Sequence, residues 1–473
     1  MKKHLLYILG GWWLLAACSK DKGNYDYIAV PEPKISGLDT AYNAISGDSL
    51  IIEPVITLQS GKNDYSCHWK IDVPERAMAV EYDGQQLRIV FGLGANRYNA
   101  LLIVTDNNTK QKYYYKFVVK GQTQFTRGTL VLSNFNNRSV ISFVKSDGTL
   151  QPDIYTNINN TAIPGGGMQL VPVRNQFYMN QLTYFWVTYS GEGTGAVQVD
   201  ANTLIRAKSL EENFYTAPPM REVSTFINMP NGVTTAVING KLFLGATETA
   251  PFWPYYGFWG EPMGGDYQLH PRVITNAYEQ PNAGYYLGFE KRKKQFVRFS
   301  LSNFYDTTYT LTDTAFNPKK LGNAELLFMD RISDNACYAF IDSAGKKLEL
   351  QFSLDWSQDK SLFSAKNKRE FPGAALLTAG TLWQTSPVGV FFFTSNDKIY
   401  RYNPLNKEVK PLDANFGGKR ITMLKLVNNG NQLIAGVEGS VYYLNTSTGH
   451  NGTIEKQTDG IPGEPADIMV REN

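Results

Sequence analysis

Short runs of apolar residues, some of them alternating with polar ones at period two, recur along this chain between turn residues. That period belongs to half-buried strands, because successive side chains leave a strand on opposite faces. Between residues 28 and 121 the runs 49–58, 65–72, 86–91, 99–106 and 112–121 read as strands, with turn signals at Asp83-Gly84 and Asp106-Asn107-Asn108. In the second run Tyr65, Cys67, Trp69 and Ile71 share one face. About seven short strands with a Trp on a central one predict an immunoglobulin-like sandwich, in which Trp69 is a core residue.

A second regularity starts near residue 122. Residues 128–150, 176–204, 232–248, 283–304, 336–356, 389–409 and 431–449 each read as strand, turn, strand and turn, the later ones ending in polar turns such as Asn403-Pro404. A strand pair recurring at a spacing of roughly fifty residues predicts a β-propeller of about seven blades. No WD or kelch signature accompanies it. The competing arrangement is an irregular sandwich of similar strand content. Propellers close by pairing the two ends of the chain, which removes free sheet edges; the strand near 129–132 is expected beside 440–444. The expected fold class is all-β, sandwich over 28–121 and propeller-like over 122–473.

The first residues follow another pattern. Lys2 and Lys3 precede an apolar run over 5–15 that is too short to span a bilayer and ends at Leu15-Ala16-Ala17-Cys18. Small residues before a cysteine form a lipobox, so 1–17 is expected to be a signal peptide and Cys18 the lipidated residue. A transmembrane anchor fits less well, because polar residues follow Cys18 at once. Residues 18–27 are expected to be the lipidated tether. Asp21, the acidic residue after Lys20, is a thin form of the charged signals that direct some lipoproteins to the cell surface.

Composition sharpens this reading. Aromatic residues make up 13%, including 28 Tyr, which favours strands, and 41 Gly with 22 Pro favour turns. Lys plus Arg number 46 against 43 Asp plus Glu, a net charge of +3 with no long basic stripe, so no nucleic-acid partner is expected. Cys67 and Cys337 fall in different expected domains and are read as buried thiols, not a disulfide.

Catalytic and metal signatures are sparse. His4, His68, His270 and His450 are scattered; there is no HExxH, no CxxC, no GxSxG and no phosphate loop. Gly165-Gly166-Gly167 has no following Lys and reads as a turn. The turns at 106–108 and 395–397 lack a full calcium-loop pattern. No metal, no cofactor and no catalytic residue is assigned. Paired carboxylates for glycoside hydrolysis need not be sequence neighbours, and nothing marks a particular pair.

One segment departs from the strand rhythm. Residues 251–260 hold Phe252, Trp253, Tyr255, Tyr256, Phe258 and Trp259 among prolines and glycines that argue against a strand interior. Asp266 follows and is a candidate to hydrogen-bond a ligand. Two readings stand: the rings pack over the domain as a plug, or they form a platform for a sugar, a peptide or a partner protein. The basic turn 291–294 reads as a solvated hairpin tip.

The lipobox cysteine, the string Lys22-Gly23-Asn24-Tyr25-Asp26-Tyr27 after it, a small β-domain and a long β-rich region together resemble the polycystic-kidney-disease-like (PKD-like) surface lipoproteins of Bacteroidota. The resemblance implies a PKD/Ig-like sandwich over 28–121. It also implies an accessory subunit of a SusC/SusD-type importer, with a SusC-like TonB-dependent barrel and a SusD-like lipoprotein as partners. The protein would be held by its lipid anchor on the outer membrane, facing outward, and would aid capture of oligopeptides or glycans. The resemblance brings no catalytic motif. The alternative from another class is a secreted propeller-type hydrolase or lyase acting on an extracellular polymer, which requires at least two carboxylates converging in a concave site.

Overall fold

The computed structural model describes residues 32–59, 63–74, 78–176, 180–191, 193–219, 222–247, 256–277, 279, 284–300, 304–357 and 360–471. Its contacts divide the chain into two units: the described residues up to Phe91 with Arg97–Lys120, and Gly92–Asn96 with the described residues from Gly121 onward. Both are built from strands.

The first unit is organised by a five-stranded sheet in the order Ala41–Ile45, Lys112–Gln122, Arg97–Asp106, Tyr65–Val73, Met78–Asp83. In Tyr65–Val73 the residues Cys67, Trp69, Ile71 and Val73 are buried and their neighbours are not, the alternation that the sequence pattern predicts. Trp69 is fully buried, meets Phe117 edge-on at 5.9 Å and donates its indole N–H to Gly84 O at 2.8 Å. The Asp106 turn is locked by its own carboxylate, which accepts the Asn108 and Thr109 N–H groups at 2.8 and 3.2 Å. The run 49–58 is not one strand. Ser49–Ile52 pairs with Leu87–Val90, and Val55–Thr57 pairs with Lys34–Ser36. Pro54 stands between them and has no N–H to continue a ladder.

The second unit contains, among the described residues, seven sheets. Each holds a hairpin, and each hairpin falls in one of the seven units read from the sequence. They are Gly128–Phe135 with Arg138–Lys145, Gln181–Tyr189 with Gly195–Asp200, Thr234–Ile238 with Lys241–Phe243, Tyr285–Glu290 with Gln295–Ser300, Ala336–Ser343 with Lys346–Trp356, Phe391–Ser395 with Lys398–Asn403, and Gln432–Val437 with Ser440–Asn445. Strands such as Thr234–Ile238 and Tyr285–Glu290 are buried along their whole length, so both faces carry apolar contact.

On one side of each hairpin lies a further strand, here termed inner: Glu464–Arg471, Gly167–Asn175, Val223–Asn228, Leu269–Thr275, Ala324–Ser333, Trp383–Thr385 and Ile421–Val427, in sheet order. Each inner strand touches the inner strand of the following sheet, and Ile421–Val427 touches Glu464–Arg471. No backbone ladder joins these neighbours, so their peptide groups need other partners. Side chains supply them. Asp467 accepts Leu170 N–H at 2.8 Å, Gln169 accepts Phe226 N–H at 3.3 Å, and Gln384 spans Leu424 O at 2.9 Å and Leu426 N at 3.2 Å.

The two ends of the second unit pair, but not where the sequence places the pairing. Gly128–Phe135 takes Glu464–Arg471 as its partner, with Leu130 opposite Met469 and Val131 opposite Ile468. Ser440–Asn445 instead lies between Gln432–Val437 and Thr453–Asp459 in the seventh sheet. Thr453–Asp459 is mostly exposed and covers that sheet's edge, which leaves the apolar tail Ile468-Met469-Val470 to complete the first sheet. Cys67 and Cys337 are both buried free thiols.

Candidate functional site

The aromatic segment divides. Phe252, Trp253 and Tyr255 lie outside the described residues, as does Cys18. Trp259 is fully buried. It stacks on Trp186 at 6.1 Å, meets Phe214 at 5.0 Å and Phe226 at 5.5 Å, and donates its N–H to Thr234 O at 2.7 Å. A ring so enclosed has no face left for a ligand, so Trp259 serves the core between the second and third sheets. Tyr256 is half-buried and donates its hydroxyl to Asn231 O at 2.9 Å. Phe258 is half-buried beneath the Lys208 ammonium, 4.7 Å from the ring centroid. Burial pushes Lys208 down to about 8, with Glu212 opposing.

Asp266 is exposed and faces the basic turn. It accepts Arg292 Nη2 at 2.6 Å and lies 3.7 Å from Lys293 Nζ. The Arg292 hydrogen bond holds its carboxyl below the usual range. Arg292 Nε also reaches the buried Glu290 at 3.0 Å. Asp266 is thus engaged by the hairpin tip, and Tyr256, Phe258 and Asp266 are not brought into one cavity.

Two concave sites among the described residues lie elsewhere, the first of them on inner strands. A cavity of about 290 Å³ is lined by Arg272 of the fourth sheet, Leu327 and Phe328 of the fifth, Trp383 and Gln384 of the sixth, 422–424 of the seventh, and Ala466 of Glu464–Arg471 in the first. A second cavity of about 290 Å³ shares Leu327, Thr381 and Trp383 with it and adds Leu377, Thr378, Ala379 and Lys347.

Arg272 owes its position to a local break. Pro271 cannot donate to the ladder, and the register of Leu269–Thr275 shifts between Leu269 and Val273. The Arg272 N–H turns to His270 Nδ1 at 3.1 Å instead of a strand partner. Its guanidinium lies 4.3 Å over the Phe328 ring, and Phe328 stacks on Trp383 at 5.2 Å with planes 10° apart. Among the described residues the half-buried guanidinium has no hydrogen bond and no ion pair within the protein. Burial lowers its pKa, with Asp330 opposing from a distance. Asp330 is occupied: it accepts Thr385 Oγ1 at 2.7 Å and Arg331 N–H at 2.8 Å. His270 is pushed down to about 4 by burial, then by Lys291 and Arg272, and stays neutral at physiological pH.

Neither cavity has an Asp or Glu in its lining. The deeply buried Glu349 sits elsewhere, with Arg369 at 2.7 Å and the Tyr402 hydroxyl as partners, where it ties the fifth sheet to the sixth. Among the described residues no group of His, Cys, Asp and Glu is arranged to hold a metal ion. Sequence reasoning missed Arg272, Phe328 and Trp383. Nothing local distinguishes them; only the Pro271 break in a short strand hints that Arg272 is displaced.

The PKD-like family profile matches residues 18–166. Among curated proteins, none matches the chain. Among solved structures, the chain is similar to a quinonprotein alcohol dehydrogenase-like protein from Bacteroides thetaiotaomicron, with 13% identity and a TM-score of 0.44 over 93% of this chain and 99% of that one. It is also similar to the dihydro-heme d1 dehydrogenase NirN, with 11% identity and a TM-score of 0.38 over 80% and 73% of the two chains. A chain of the mitotic checkpoint complex matches with 9% identity and a TM-score of 0.40 over 60% and 80%. At these scores the likenesses carry no argument about this chain's activity.

Proposed function

We propose that this chain is a non-catalytic surface lipoprotein, anchored through Cys18 in the outer membrane, that assists a SusC/SusD-type importer in capturing oligopeptides or glycans. Its second unit acts as a seven-bladed β-propeller that presents the binding site. Seven sheets, the pairing of Gly128–Phe135 with Glu464–Arg471 and the succession of inner-strand contacts support the propeller reading. The PKD-like match over 18–166 supports the assignment of the N-terminal part, and the lipobox and the string at 22–27 support the lipoprotein.

One observation carries the choice of binding over hydrolysis. The two adjoining cavities offer an aromatic stack, an arginine and hydroxyls, and no carboxylate in their lining. A hydrolase of the retaining or inverting kind needs two carboxyl groups across the scissile bond. The test is purification of the intact outer-membrane complex through a tag on this chain. A SusC-like barrel and a SusD-like lipoprotein should co-purify. A lipidated protein that comes down without them overturns the importer assignment, and cleavage of an offered polysaccharide or peptide by the purified chain overturns the non-catalytic one.

A further inference from the structure

We propose that the cavity at Arg272 binds the terminal carboxylate of a peptide whose last side chain is apolar. The inference rests on the reading of this cavity as a binding site and names its ligand class. A guanidinium stays charged at any physiological pH, and placing it in a cavity without an anion is costly. Arg272 is half-buried and has no counter-ion: its face rests on Phe328 at 4.3 Å, among the described residues no acceptor meets its guanidinium N–H groups, and none of those nitrogens is sealed from solvent. A cation stacked by its face has its edge available, and that edge matches a carboxylate with two parallel hydrogen bonds.

The surrounding polar groups narrow the choice. Gln384 spends its amide on the seventh inner strand, and Thr422 donates its hydroxyl to Pro465 O at 2.7 Å. Thr381 is less committed: its hydroxyl oxygen accepts Thr378 N–H at 2.9 Å, and its proton is shared only with a long 3.4 Å contact to Thr378 Oγ1, which a ligand oxygen can displace. A neutral sugar, which needs several free donors and acceptors at once, finds few here. The adjoining cavity shares Thr381 and Trp383 and adds the apolar Leu377 beside the exposed Leu327. Its cation, Lys347, is paired with Asp342. One charged end beside an apolar shelf suits a peptide terminus with a Leu- or Phe-like last residue. An acidic sugar supplies the carboxylate but has nothing to place on the shelf.

The experiment uses the full chain in detergent and isothermal titration with three probes: an N-acetylated tetrapeptide ending in Leu as free acid, the same peptide as C-terminal amide, and a tetramer of galacturonate. The free acid should bind, and the amide should bind at least tenfold more weakly. Arg272→Gln should erase the difference between acid and amide, and Leu377→Ala should weaken the acid without erasing it. Equal binding of acid and amide overturns the proposal, as does the absence of binding by both. Binding of the uronate alone overturns the peptide assignment. The acid-to-amide comparison in the unaltered protein decides without relying on a variant that folds. Co-purification of the importer with the same preparation is scored separately, so a protein that retains the importer but ignores the peptide sinks this inference alone.

Discussion

Trp259 stacks on Trp186, with ring centroids 6.1 Å apart and planes 21° from parallel. The pair joins a segment that follows the third sheet's hairpin to a strand in the middle of the second sheet, Gln181–Tyr189. Trp186 is itself 1% exposed, so the stack has no open side and its contribution is to packing.

Trp259→Ala should therefore destabilise the protein by about 3–5 kcal/mol, the range for emptying a buried aromatic site. Phe258→Ala, at a half-buried ring, should cost about 1 kcal/mol. Denaturant titration of the two variants separates them. A Trp259→Ala protein that unfolds at the wild-type midpoint contradicts the packing role.

Removal of residues 464–473 should destabilise the second unit as a whole. It takes the inner strand from the first sheet and with it the Asp467 carboxylate, which holds Leu170 N–H at 2.8 Å and Lys425 Nζ at 2.9 Å. Gly463→Val should act in the same direction. Gly463 has φ +67°, and a Cβ there would run into the Asn134 carbonyl. Circular dichroism melting checks both; a truncated chain that melts like the full one would show that the first and last sheets are held without this strand.

Acid should weaken the fold through His270. Burial lowers its folded pKa from 6.5 to about 4, so below pH 6.5 the unfolded chain binds a proton that the folded chain refuses. Stability from this residue is complete above pH 6.5 and is lost progressively as the pH falls towards 4, by a total on the order of 3 kcal/mol. His270→Gln keeps an acceptor for the Arg272 N–H and should flatten the stability profile between pH 6.5 and 4. An unchanged slope in the variant would assign the acid sensitivity to other groups.

Cys18→Ala should leave the protein unlipidated, with residues 1–17 retained. Mass spectrometry of the mature wild-type N-terminus reads the same question directly. A mature wild-type chain that keeps residues 1–17, or whose Cys18 carries no acyl mass, places the anchor elsewhere.

What the sequence alone determined was the set of seven hairpins. Strands such as Phe391–Ser395 and Gln432–Val437 are nearly wholly buried, so they appear as unbroken apolar runs, and their partners lie one short turn away. Trp69 was legible for a similar reason, because its period-two neighbours announce a buried face. The tertiary structure decided the rest. Six of the inner strands pair with the strand that follows them in sequence, but the seventh, Glu464–Arg471, finds Gly128–Phe135 across the length of the unit. The rings of 251–260 were visible as composition, but the burial of Trp259 depends on Trp186, Phe214 and Phe226, which other sheets bring to it. Arg272 is the extreme case. Its place on Phe328, with Trp383 beyond, joins three sheets, and a contact made by three distant segments leaves no periodic trace in any one of them.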